Sequence, residues 1–211
     1  MIVDPWVLLA FLPAALALNL TPGADMMFCL GQGLRAGPRA AVAASAGIAL
    51  GGMIHAAIAG LGLSALIAAA PGALEVIRWV GVAYLMLLAV QALRAGPVVR
   101  DAVRQVRPRA AWRAFGQGLV VNLTNPKVIL FVLAFVPQFV DPARGAVPGQ
   151  FMLYGAVLSL GGFVVNGAVG VFAAGAAGRL AGNLRIARVL GWISAGIFTG
   201  LALRLAMTQK G

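Results

Sequence analysis

Apolar residues run through this chain in long blocks, and the polar residues gather between them. No Asp, Glu, Lys or Arg occurs between Arg39 and Glu75, nor between Arg144 and Arg179. Each run exceeds the roughly 20 residues that an α-helix needs to cross a bilayer. The blocks are rich in Ala, Leu and Gly and lack period-2 alternation, so they read as helices and not as strands. The pattern predicts six membrane-spanning helices, at about 6–34, 40–64, 75–93, 114–137, 149–177 and 187–206. The third and sixth are bounded by arginines (Arg78 and Arg94, Arg188 and Arg204) with 15 uncharged residues between them. At about 1.5 Å per residue such a stretch covers some 22 Å, so the arginines must snorkel toward the headgroups.

The two halves of the pattern match each other. RWVGVAYLMLLAVQALR at 78–94 and RVLGWISAGIFTGLALR at 188–204 share Arg-x-x-Gly at the start and Ala-Leu-Arg at the end, at an offset of 110. Leu50-Gly51-Gly52 and Leu160-Gly161-Gly162 keep that offset, and two Asn-Leu-Thr stretches lie 103 apart. Each half then holds three helices, an odd number, so the second copy enters the membrane the other way up. The expected fold is an all-α membrane protein of six transmembrane helices in two inverted three-helix repeats, a plan shared by many secondary transporters. The chain is read as one transmembrane domain, 1–211, with repeat A at about 6–94, a basic loop at 95–113 and repeat B at about 114–207.

Two polar interruptions break this apolar pattern at corresponding places: Asn19-Leu20-Thr21-Pro22-Gly23-Ala24-Asp25 in helix 1 and Asn122-Leu123-Thr124-Asn125-Pro126-Lys127 in helix 4. Proline removes a backbone donor and strains the preceding turn, leaving carbonyls free, while Gly23 permits close approach or an unusual backbone angle. Thr21 is expected to cap the following helix with Pro22 at its first position, and Asn125 to do the same with Pro126. In transporters, paired interruptions of this kind near the midplane form substrate sites. Asp25 and Lys127 are the two strongly ionisable residues inside predicted spans, where a charge costs several kcal/mol unless paired or hydrated. Asp25 near a helix N-terminus is favoured by the dipole and Lys127 is disfavoured, which suggests that Lys127 meets an anion. An Asp25–Lys127 pair that only fastens the halves is the plainer alternative. His55 and Asn166 are secondary candidates, a lone membrane histidine being more often hydrogen-bonded packing than a proton carrier. Glycine pairs 51–52 and 161–162 read most simply as close helix contacts.

Composition supports the membrane reading. Hydrophobic residues make up 62% and charged residues 10% of the 211, against about a quarter charged in soluble domains. The formal charge of +11 could suggest nucleic acid, but its distribution argues against that partner. Arg35, Arg39, Arg94, Arg100, Arg104, Arg107, Arg109, Arg113, Arg179, Arg185 and Arg188 all fall in the loops between helices 1–2, 3–4 and 5–6. This positive-inside bias puts those loops in the cytoplasm and both termini in the periplasm. The opening residues MIVDPW carry an acid and no base, so the first helix is expected to stay and not to be cleaved as a signal. One cysteine, Cys29, and one histidine supply neither a dithiol, nor a nucleophile–base pair, nor a metal site, so no enzyme activity, cofactor or metal is expected.

The two interruptions resemble the signatures of the LysE/RhtB family of amino-acid exporters, usually NxTPGPD and NxxNPK, with Ala24 in place of the commoner proline. The resemblance covers essentially the whole chain. It implies a bacterial inner-membrane secondary transporter that exports small amino acids or their analogues, driven by the proton gradient. Its partners would then be the amino-acid substrate, protons and the lipid bilayer, with a homodimer left open. Chemistry independently supports the class: a zwitterion offers a carboxylate for Lys127 and an ammonium for Asp25. The substrate-binding and coupling residues expected are Asn19, Thr21, Pro22, Gly23, Asp25, Asn122, Asn125, Pro126 and Lys127. The alternative is an exporter of another small cation or metabolite on the same inverted-repeat plan; a metal exporter would want several intramembrane carboxylates, and only Asp25 qualifies.

Overall fold

The computed structural model describes residues 2–69, 73–94, 110–173 and 184–207, and among these every regular element is helical. Most of the expected basic loop, including Arg100, Arg104, Arg107 and Arg109, lies outside the described residues, as does Arg179.

Helix α1 (Pro5–Leu20) starts where the Asp4 side chain accepts from the Trp6 amide, with Pro5 in its first turn. It stops because Pro22 disfavours the helical region for the residue before it: Thr21 is extended, at φ −71° and ψ 119°. The chain resumes as α2 (Ala24–Ala36), bent 53° from α1. Helix α5 (Ala111–Leu123) ends at Thr124, at φ −98° and ψ 1°, one residue further from its proline. Asn125, ahead of Pro126, is extended at φ −78° and ψ 107°, and α6 (Pro126–Leu130) follows. From there the chain loosens into a π turn at Phe131–Phe135 and tightens into a 3₁₀ turn at Val136–Phe139. Pro137 explains the change, since it has no N–H to continue an α ladder. The bend across this second break is 52°. Both expected interruptions are therefore present, and neither reverses the chain.

Among the described residues, three unbroken helices are long and apolar enough to cross a bilayer: α3 (Pro38–Ala69), α4 (Ala73–Arg94) and α7 (Val147–Ala173). Counting each bent pair as one crossing gives five. The sixth expected span corresponds to α8 (Leu184–Met207), in which Gly191–Leu203 is an apolar stretch.

The surface is apolar where a soluble bundle would be polar: Ile58, Leu61, Leu160, Phe172 and Trp192 are all exposed. Inside, small residues bring helices into backbone contact. A Cβ on Gly47 of α3 would overlap the Phe115 carbonyl of α5, and one on Gly118 of α5 would overlap Ala44 of α3. Gly33 of α2 meets Gly170 of α7 just as closely. Helix α3 thus packs along both α5 and α7, and α4 packs along α8. At the N-terminal end of α1, Phe11 sits 4.9 Å from Tyr154 and 5.2 Å from Phe139, ring centre to centre. There Arg144 Nη2 donates to Asp4 Oδ2 at 3.0 Å. These contacts tie α1 to the far end of the α6 segment and fix how the two breaks face each other.

Candidate functional site

Lys127 lies in the first turn of α6, yet its side chain serves the other break. Its ammonium donates to the carbonyls of Leu18 at 2.6 Å and Thr21 at 2.7 Å. Those carbonyls belong to the last turn of α1 and lost their helical partners when Pro22 ended the helix. A cation at a helix C-terminus also matches the dipole. The sequence placed Lys127 at an unfavourable helix end and inferred an anion; in the structure it has reached a favourable one. An ammonium has three donors, and two are used here.

Asp25 occupies the first turn of α2, the favourable end for an acid. Its Oδ2 accepts from Asn122 Nδ2 at 2.8 Å, and the Asn125 amide faces it as well. Its Oδ1 is buried without a hydrogen-bond partner among the described residues. No Asp25–Lys127 ion pair within 4 Å forms among them, although both side chains line one cavity. The charges are neighbours and do not consume each other.

The two asparagines of the breaks dock reciprocally. Asn19 Nδ2 donates to the Leu158 carbonyl of α7 at 3.1 Å, and its amide fills the space over Gly161 and Gly162. Asn122 lies over Gly51 of α3, where an added Cβ would come within 2.6 Å of its Oδ1. The glycine pairs are thus close helix contacts, as expected, and what they make room for are polar side chains. The threonines match too: Thr21 Oγ1 donates to Ala17 O at 2.6 Å and Thr124 Oγ1 to Val120 O at 2.9 Å.

The expected capping held at one break only. Asn125 caps α6, its Oδ1 accepting from the Lys127 amide at 3.0 Å, with Pro126 at the first helical position. Thr21 instead closes the end of α1, Pro22 lies in the break, and the N-cap of α2 is Gly23 with no side-chain cap. Gly23 itself is extended at φ −163°, which any residue adopts; its value is space, since a methyl there would lie 3.6 Å from Lys127 Nζ. Of the secondary candidates, His55 Nε2 approaches the Asn122 carbonyl at 3.2 Å. Asn166 is buried and lines both cavities described next.

Two adjoining cavities of about 30 Å³ each share Leu18, Asn19, Asp25, Val128 and Asn166 as walls. The first adds Thr21, Gly23, Asn125 and Lys127. The second adds Asn122, Gly52, Ser159 and Ala49 among others. Either has room for about a water or two, less than an amino acid needs. Tyr84, which no motif flagged, donates to the Lys127 carbonyl at 2.8 Å and steadies the first turn of α6. Ser159 was also missed, though it directly precedes the repeated Leu-Gly-Gly, the one signal that could have found it.

The LysE type translocator profile matches residues 16–209. A homoserine/homoserine lactone efflux protein of Salmonella typhimurium is 35% identical over 147 residues, 69% of this chain and 70% of that one. A leucine efflux protein of Klebsiella pneumoniae is 28% identical over 203 residues, 96% of this chain and 95% of the relative. An uncharacterized membrane protein of Vibrio cholerae is 35% identical over 153 residues, 72% and 73% of the two chains. No solved structure matches. With the paired breaks, their Asp25 and Lys127, and a match along nearly its whole length, the chain belongs to the LysE type translocator family.

Proposed function

We propose that this chain is a secondary transporter that exports amino acids or close analogues from the cytoplasm in exchange for protons. The observation that carries the reading is the pair of opposite charges that share a cavity without pairing. Lys127 keeps one N–H beyond the two it gives to α1, and Asp25 keeps a buried oxygen with no partner. A zwitterion meets both needs: its carboxylate takes the Lys127 proton donor and its ammonium takes Asp25. A simple cation or anion would meet only one. The homoserine and leucine efflux names of the relatives favour the same substrate class.

Asp25 is also the group that would release a proton as it accepts the ammonium and regain one after the substrate leaves, which is antiport. Part of this reading is the six-helix inverted repeat, supported by the reciprocal docking of Asn19 and Asn122 on the repeat-related glycine pairs. An inner-membrane location with both termini periplasmic follows from the arginine-rich loops. Cavities this small must widen to admit an amino acid, and export requires that the site open to each side in turn. Counterflow in proteoliposomes, with a panel of amino acids and with or without an imposed proton gradient, is the test. Uptake of at least one amino acid, made concentrative by the gradient, is expected. No counterflow with any of them would sink the proposal.

A further inference from the structure

The second cavity holds a feature that the zwitterion does not use. Ser159 is 8% exposed, and its Oγ is buried with no hydrogen-bond partner among the described residues. A hydroxyl in the middle of a helix commonly bonds back to a carbonyl one turn earlier; this one does not. Leaving a buried hydroxyl unsatisfied costs stability, a cost that a purely structural residue at this position would avoid by being alanine. Around it the walls are short: Ala49, Gly52 and Gly162, with Ile48, Leu158 and Val128 as apolar sides. A Cβ on Gly52 would fall 2.5 Å from Ser159 Oγ, so glycine there keeps the hydroxyl clear.

The order of groups along the two cavities matters as much as the groups. Lys127 lines only the first cavity, Asp25 lines both, and Ser159 lines only the second. In an amino acid the carboxylate, the ammonium and the side chain all branch from one carbon, so fixing the first two fixes the direction of the third. With its carboxylate toward Lys127 and its ammonium on Asp25, its side chain has the second cavity as its direction. Resting on the amino-acid reading above, we propose that the second cavity is the side-chain chamber and that Ser159 is its specificity-determining residue. It favours a short side chain that carries a hydroxyl. The second unpartnered buried oxygen of this chamber, Asn122 Oδ1, offers an acceptor for that hydroxyl's proton while Ser159 donates to its oxygen.

Threonine and valine make the test, because they differ by a hydroxyl in place of a methyl at nearly equal volume. In proteoliposome counterflow the wild-type chain should exchange threonine about five- to tenfold better than valine, the worth of one or two neutral hydrogen bonds. Ser159→Ala should bring that ratio to about one, and Ser159→Thr, which keeps the hydroxyl, should keep the preference. The melting temperature of Ser159→Ala in detergent should equal or exceed the wild type's, since the lost hydroxyl had no partner. A wild-type ratio near one, or a ratio that Ser159→Ala leaves unchanged, overturns the assignment. A drop in melting temperature would mark Ser159 as structural and overturn it too. Exchange of no amino acid at all is a different failure, that of the transporter reading itself.

Discussion

The two broken helices share a signature and divide the work unequally. The second break satisfies itself: Asn125 caps α6, the Asn125 amide N–H reaches the Asn122 carbonyl, and Thr124 closes the end of α5. The first break does not. Its α1 carbonyls depend on Lys127, its α2 lacks a side-chain cap, and its Asp25 leans on Asn122. The first break is therefore completed by the second. A break that borrows its hydrogen bonds from across a site is the one that loses them when a substrate competes for the same groups, so the first break is the element expected to respond to binding.

Removing the borrowed cation should have the largest effect. Lys127→Met deletes two charged hydrogen bonds and leaves two α1 carbonyls unsatisfied, a loss on the order of 3 kcal/mol or more. In a chain of this size that lowers the melting temperature by roughly 6–12 °C, and substrate exchange should vanish with it. A variant that melts with the wild type would mean that the first break does not rely on the second.

Asp25→Asn comes next, and it should separate transport from stability. The asparagine Oδ1 still accepts from Asn122 Nδ2, so the fold keeps that bond. What goes is the negative charge facing the substrate ammonium and the group that exchanges a proton. Gradient-driven accumulation should fall to the level of empty vesicles while the melting temperature moves little. Accumulation at the wild-type rate would shift proton coupling to another group, with His55 beside Asn122 as the next to test.

Asn125→Ala probes the self-sufficient break. Losing a side-chain N-cap costs about 1 kcal/mol, or roughly 2–4 °C here. Because the Lys127 ammonium is held by α1 and not by this cap, the variant should keep measurable exchange. Complete loss of exchange would show that Asn125 acts on Asp25 or substrate and not only on α6.

Much of this arrangement was legible in the sequence, and the parts that were not have a common cause. Apolar runs and the Pro-Gly and Asn-Pro interruptions announced the helices and both bends, because proline acts on its own neighbours. The cap at Asn125 was legible for the same reason. Misread were the contacts that cross between halves. Lys127 looked ill-placed at its own helix end because its partner carbonyls lie more than a hundred residues earlier. Thr21 looked like an N-cap because nothing local says that α2 starts at Ala24. Ser159 and Tyr84 carry no spacing that marks them, and only the packing of α7 and α4 brings them to the breaks.

The smallest effect is expected at Gly23, and it bears most directly on how the first break moves. In this conformation Gly23 has an ordinary extended backbone, so Gly23→Ala introduces no strain. The new methyl would make normal contact with Lys127 Cδ at 3.5 Å and Nζ at 3.6 Å. Stability should stay within about 0.5 kcal/mol of wild type. The methyl does crowd the side of the ammonium that faces the cavity, so the concentration for half-maximal exchange should rise a few-fold with the maximal rate nearly unchanged. If instead the maximal rate collapses while the protein melts normally, the glycine is needed for a backbone angle that exists only in another conformation. That result would locate the hinge at Gly23 itself, between the capped end of α1 and the uncapped start of α2. A few-fold change in half-saturation alone would leave the bend rigid and put the motion in the helices on either side.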